Sequence, residues 1–241
     1  MVAAKNKICL ALDVDNTQHA INVAKKLKEH VGVFKVGSEL FTIAGPSILE
    51  KIVDVGVPVF LDLKFHDIPN TISRVARVVT RYGIFMFNIH ASGGGEMIQA
   101  AVEATHDEAV KRGLTPPLIL AVTVLTSIDN KILQKELLIN QPVEKHVQHL
   151  AIMTEENGAD GVVASPMEVR VIREACGEHF QIVTPGVRPT GSSVGDQKRI
   201  ATPSDAINQG SDYVVIGRPI LAADDPIDAA QKIAEEIARV L

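Results

Sequence analysis

The sequence predicts an α/β protein folded as one domain, a single (β/α)8 (TIM) barrel over residues 1–241. Eight short apolar runs rich in β-branched residues recur along the chain, each too brief for a typical helix. Most segments between them carry helical periodicity, and 241 residues suit one barrel of roughly 250. Strand and helix in alternation require a parallel sheet with crossovers, which closure into a barrel satisfies. A doubly wound open sheet is the alternative, weakened because no GxGxxG follows the first run.

The first run, ICLALDV (8–14), leads through Asn16-Thr17, a helix start signal, to a stripe of Ile21, Ala24, Leu27 and Val31. VFKVG (33–37), VFLDLKF (59–65), MFNIHA (86–91) and LILAVTVL (118–125) follow as the next four strands. The fifth connection, 126–160, is the longest, and its polar stretch IDNKILQKELLINQP predicts a short extra helix before a main one at about 143–157. GVVAS (161–165), QIVTPGV (181–187) and YVVIGRP (213–219) complete the eight. Asp225-Pro226 then reads as an N-cap with proline at the first helical position, ahead of Ala230, Ile233, Ile237 and Leu241.

A hydrophobic content of 46% fits a well-buried core. The net charge of -5 argues against a nucleic-acid partner, so an anionic ligand needs a local cluster of cations. Two cysteines without CxxC or Cys/His spacing read as buried thiols. The N-terminal stretch is too brief and too soon acidic for a signal peptide, and no apolar run reaches the ~20 residues of a membrane span. A soluble, cytoplasmic protein is expected.

VFLDLKFHDIPNT (59–71) carries the most chemistry. Asp62 and Lys64 alternate with Leu61, Leu63 and Phe65, which puts the charged pair on one strand face and the apolar trio on the other. Asp67 follows where the strand should end. Two readings are open: a salt bridge that tightens the strand end, or a catalytic array. In the second, a substrate carboxylate pressed against Asp62 is destabilised by like charge, and Lys64 protonates the carbon it leaves. That decarboxylation needs neither metal nor organic cofactor. Lys35 and Asp13 could extend the array and bind sugar hydroxyls.

Barrel enzymes react where strands end, and polar residues gather there: Asp13, Lys35, Asn88 and His90, Thr126-Ser127, Arg188, and Gly217-Arg218. The seventh and eighth ends suit a phosphate, with Gly217 allowing close backbone approach and Arg188 and Arg218 offering guanidinium groups. Residues 189–197 are small, polar and glycine-bearing, as a closing lid would be. His90 lacks partners at metal-ligand spacing and reads as a hydrogen-bonded core histidine. Gly93-Gly94-Gly95 could cradle an anion or simply start a helix.

These residues resemble the orotidine 5′-phosphate decarboxylase family in its short bacterial form. The resemblance rests on LDLKFHDIPNT (61–71), NIHASGG (88–94), VTVLTS (122–127), TPGVRP (184–189), GDQ (195–197) and VIGRP (215–219), supported by LALDVDN and FKVGSELF. It implies conversion of orotidine 5′-phosphate to UMP without a cofactor, in pyrimidine biosynthesis. It also implies that Asp13 and Lys35 contact ribose, Asp62 confronts the substrate carboxylate, and Lys64 protonates C6. Thr126 and Ser127 would lie near the pyrimidine, while Arg188, Gln197, Gly217 and Arg218 grip phosphate under a loop at 188–197. Asp67 and Thr71 would reach into a partner's site in a homodimer. The resemblance does not extend to the residues between Pro189 and Gly195. Two rivals remain: a magnesium-dependent barrel acting on sugar phosphates, such as a hexulose phosphate synthase, and a non-catalytic nucleotide-binding barrel.

Overall fold

Eight parallel strands close on themselves in sequence order, β1 pairing with both β2 and β8. The structure, a computed structural model, describes residues 2–189 and 201–241. The strands are β1 (Ile8–Ala11), β2 (Val33–Gly37), β3 (Val59–Phe65), β4 (Met86–His90), β5 (Leu118–Val122), β6 (Gly161–Val163), β7 (Gln181–Thr184) and β8 (Tyr213–Ile216). The apolar runs read as strands are therefore strands, because a parallel strand buried on both faces needs little polar alternation.

Helices sheathe the barrel. They are α1 (Val2–Lys5), α2 (Thr17–Leu27), α3 (Ser38–Ala44), α4 (Ser47–Val53), α5 (Pro69–Thr80), α6 (Gly95–Arg112), α7 (Asn130–Lys135), α8 (Val143–Glu156), α9 (Val169–Cys176), α10 (Pro203–Asn208), α11 (Arg218–Leu221) and α12 (Pro226–Ala238). The starts read from sequence hold: Asn16 accepts from His19 N–H at 2.9 Å, and Asp225 caps α12 through Ile227 and Asp228. Such caps contribute about 1 kcal/mol each. The extra helix of the fifth connection is α7, capped by Asp129. The α12 stripe stops at Ile237, and Leu241 lies beyond the helix end, 62% exposed. Gly94, at φ 84°, ends a short 3-10 turn and opens α6, so the glycine triplet serves as a helix start.

Two apolar layers hold the fold. Between strands and helices lies the larger core, in which Phe34, Leu40, Ile72 and Phe87 are fully or almost fully buried. Inside the barrel, Cys9, Val33, Phe60, Met86, Leu120, Val122, Val163 and Val183 pack as a plug. Side chains thus fill the lumen, and the polar strand ends gather where the strands terminate. Both cysteines are buried and unbridged, and burial raises the Cys9 thiol pKa, which keeps it inert. Among the described residues no helix is long and apolar enough to cross a membrane.

Candidate active site

A row of alternating charge runs across the first three strand ends. Lys35 Nζ, on β2, lies 3.1 Å from Asp13 Oδ1 just past β1 and 3.4 Å from Asp62 Oδ2 on β3. Lys64 Nζ then lies 2.6 Å from Asp62 Oδ1. Lys35 is only 7% exposed. Removing such charges from water costs several kcal/mol per ion, so the row persists because each buried ion is paired. Burial pushes the Lys35 pKa down, but Asp62 and Asp13 overcome that and leave it raised. Burial likewise opposes ionisation of Asp62, yet Lys35, Lys64 and Asn88 bring its pKa below the ordinary carboxylate value. Lys35 and Asp62 are therefore held in their charged forms by each other and by their neighbours.

The face assignment from sequence holds: Leu61 is buried in the outer core, and Leu63 and Phe65 pack against it. The strand itself is irregular. Leu61 pairs with Phe87 but Phe65 pairs with Ile89, so four steps along β3 match two along β4. Within this bulge Lys64 has φ 52°, a left-handed conformation that costs an L-residue roughly 1–2 kcal/mol. Asn88, fully buried on β4, accepts from Lys64 N–H at 2.7 Å and donates to Asp62 Oδ1 at 2.7 Å. In the sequence Asn88 stands out only as one polar strand end among several. Its signal was a carboxamide set inside the apolar run MFNIH.

A cavity of about 330 Å³ opens over this row. Its walls take in Asp13, Lys35, Asp62 and Lys64 on one side. Thr126 and Ser127, in the turn after β5, and Arg188, Gly217 and Arg218, after β7 and β8, line it as well. Val122, Val124 and Val163 supply apolar wall, which lowers the dielectric around the charges. Gly217 sits between β8 and the short helix α11, and a Cβ there would lie 3.4 Å from Ala11 Cβ. Gly37 is tighter: a Cβ would come within 2.8 Å of Lys35 Nζ.

Asp67 and Thr71 do not line this cavity. Asp67 is exposed and accepts from Ile68 N–H at 2.7 Å, while Thr71 lies in the first turn of α5. Gln197 and most of the expected lid fall outside the described residues. His90 is half-buried rather than a core residue, its ring centroid 5.3 Å from that of His66. Burial first, then His66 and Lys64, lower its pKa. Among the described residues no three His, Cys, Asp or Glu side chains converge as a metal site.

The sequence profile described as "Orotidine 5'-phosphate decarboxylase / HUMPS family" matches residues 6–233. The chain belongs to that family. It is similar to proteins named orotidine 5'-phosphate decarboxylase from Moorella thermoacetica, 51% identical over 98% of this chain and 94% of the relative. Similar too is that of Syntrophotalea carbinolica, 49% identical over 100% of this chain and 98% of the relative. Among solved structures, the orotidine 5'-phosphate decarboxylase of Lactobacillus acidophilus superposes with a TM-score of 0.84 at 39% identity, covering 95% of this chain and 98% of that one. The Lactobacillus acidophilus protein thus shares the barrel found here.

Proposed function

We propose that this member of the orotidine 5′-phosphate decarboxylase family is a carboxy-lyase converting orotidine 5′-phosphate to UMP and carbon dioxide, a step of pyrimidine biosynthesis, without a cofactor. The observation that carries the reading is the Lys35–Asp62–Lys64 row, in which one carboxylate is held between two ammonium groups in the wall of the cavity. A substrate carboxylate beside Asp62 meets an anion that its lysines keep ionised, so the ground state is disfavoured. The C6–carboxylate bond breaks, its electron pair stays on C6, and carbon dioxide leaves. Lys64 donates a proton to C6 and is reprotonated from solvent. Its ammonium also stabilises the developing carbanion, which is where preorganised charge is worth most.

The other side chains bind. Asp13 and Lys35 face ribose hydroxyls, Thr126 and Ser127 the pyrimidine, and Arg188, Gly217 and Arg218 the phosphate, with Gln197 as a further phosphate ligand. Binding energy from the phosphate, remote from C6, can then be used to hold the reacting end in place. Asp67 and Thr71 serve the site of a second copy in a cytoplasmic homodimer. Exposed Ile43, Ile68 and Val78, on or next to α3 and α5, support a partner face there.

The rival within the same family is a magnesium-dependent sugar-phosphate enzyme. The names of the 47–51% identical relatives favour the pyrimidine reading. Absorbance during orotidine 5′-phosphate turnover in EDTA decides between them, with Lys64→Ala as control. Undiminished turnover in EDTA and its loss in Lys64→Ala are expected; metal-dependent turnover or an unimpaired Lys64→Ala would sink the mechanism.

A further inference from the structure

Asn88 is a polar side chain where the fold offers apolar company. It stands on β4 between Phe87 and Ile89 with no exposed surface. An unbonded amide in that position would carry the full desolvation penalty of a buried polar group. Both of its ends are satisfied across the strand gap by the two residues that carry the proposed chemistry, the main chain of Lys64 and the carboxylate of Asp62. The bonds fall within the stretch where the β3–β4 register shifts.

The polarity of this amide follows from its partners. Lys64 N–H is a donor, so it takes the carbonyl oxygen and turns the NH2 group towards Asp62. Asp62 Oδ1 then receives two donors, Asn88 Nδ2 at 2.7 Å and Lys64 Nζ at 2.6 Å, while Oδ2 faces Lys35. An ionised carboxylate accepts both; a proton on Oδ1 would collide with them.

We infer that Asn88 is a positioning residue: its carboxamide ties the left-handed Lys64 main chain to the Asp62 carboxylate, so that proton donor and carboxylate meet the reacting carbon as one rigid unit. The inference rests on the decarboxylase reading for its effect on turnover, but its effect on Asp62 is independent of any substrate. The charged or titratable groups acting on the Asp62 environment are Lys35 from β2, Lys64 from β3, Cys9 from β1, His90 from β4, and Asp13 through Lys35.

Two variants test it. Asn88→Asp keeps the size and the acceptor for Lys64 N–H, but sets a second carboxylate against Asp62. Asn88→Leu removes both bonds. In Asn88→Asp, kcat at neutral pH should fall roughly tenfold or more with KM changed less than about threefold, and the acid limb of kcat should move to higher pH. Asn88→Leu should also lose kcat, and inhibition by inorganic phosphate, held on the β7–β8 side, should be unchanged in both. The substrate-free readout is a 13C titration of aspartate-labelled protein, with Asp62→Asn assigning the Asp62 signal; its midpoint should rise in Asn88→Asp. If wild type fails to turn over orotidine 5′-phosphate, the decarboxylase reading fails while this midpoint still decides the role of Asn88. An unshifted midpoint in folded Asn88→Asp overturns the inference. So does circular dichroism showing both variants unfolded, because Asn88 would then specify the fold rather than the site.

Discussion

Lys35 occupies the centre of the charged row, almost without solvent, and touches a carboxylate on each side. Its space is bounded by Gly37, where a Cβ would sit 2.8 Å from Nζ and 3.2 Å from Asp13 Oδ1. Gly37→Ala should therefore leave the barrel folded but displace the ammonium, lowering kcat/KM by roughly tenfold or more in a steady-state assay. The same residues set a pH window for stability. The folded Asp62 pKa is depressed, so its contribution is present above the ordinary ~3.9 and is lost as pH falls through the folded value. The folded Lys35 pKa is raised, so its contribution is present below the ordinary ~10.4 and is lost as pH rises through the folded value. Calorimetric Tm against pH should show both limbs. Asp62→Asn should flatten the acid limb and bring the alkaline limb to lower pH, because Lys35 then keeps Asp13 as its remaining carboxylate partner in the row.

Helices and strands were legible where one local signal decided them. Asn16 and Asp225 start α2 and α12 because a short oxygen-bearing side chain satisfies first-turn N–H groups. The division of the second connection into α3 and α4 was not among the expectations from sequence, although glycine at φ 68° and proline's missing donor at Gly45-Pro46 account for it. The bulge in β3 was not legible: LDLKF alternates as a regular strand does, and nothing local marks Lys64 for a left-handed conformation. That conformation is set by a side chain on the next strand, far along the chain. Glu108 is a similar case. It is 3% exposed on α6 and accepts from Arg81, at the end of α5, and from Arg112 one turn on, at 2.7 and 2.6 Å. Arg112 and Arg81 pull its pKa down to about 2. Glu108→Gln should lower Tm at neutral pH without changing kcat, and the difference from wild type should shrink as pH falls from the ordinary ~4.3 towards that value, where wild type loses the same charge.

The whole barrel places the site by closure, bringing β8 beside β1 and so Arg218 and Gly217 near Asp13. Its closed topology was readable from repetition, whereas a second copy's contribution is not a property of one chain's pattern. Mixing dissociated Lys64→Ala and Asp67→Ala proteins measures that contribution directly: random reassembly of a composite dimer should restore about a quarter of wild-type turnover, because half the dimers are hybrids with one intact site of two. No recovery on mixing, with reassembly shown by sedimentation, would mean that each chain works alone. The order of charges around the mouth has one more effect. From β1 to β3 the signs run negative at Asp13, positive at Lys35, negative at Asp62 and positive at Lys64, which sum to zero. A neutral alternating series has no net charge, so its field falls off faster with distance than that of a lone ion. From bulk water this row therefore adds little to the field of a protein whose net charge is -5. On the proposed function, a phosphorylated ligand is drawn in chiefly by Arg188 and Arg218, so the salt dependence of its capture belongs to those arginines.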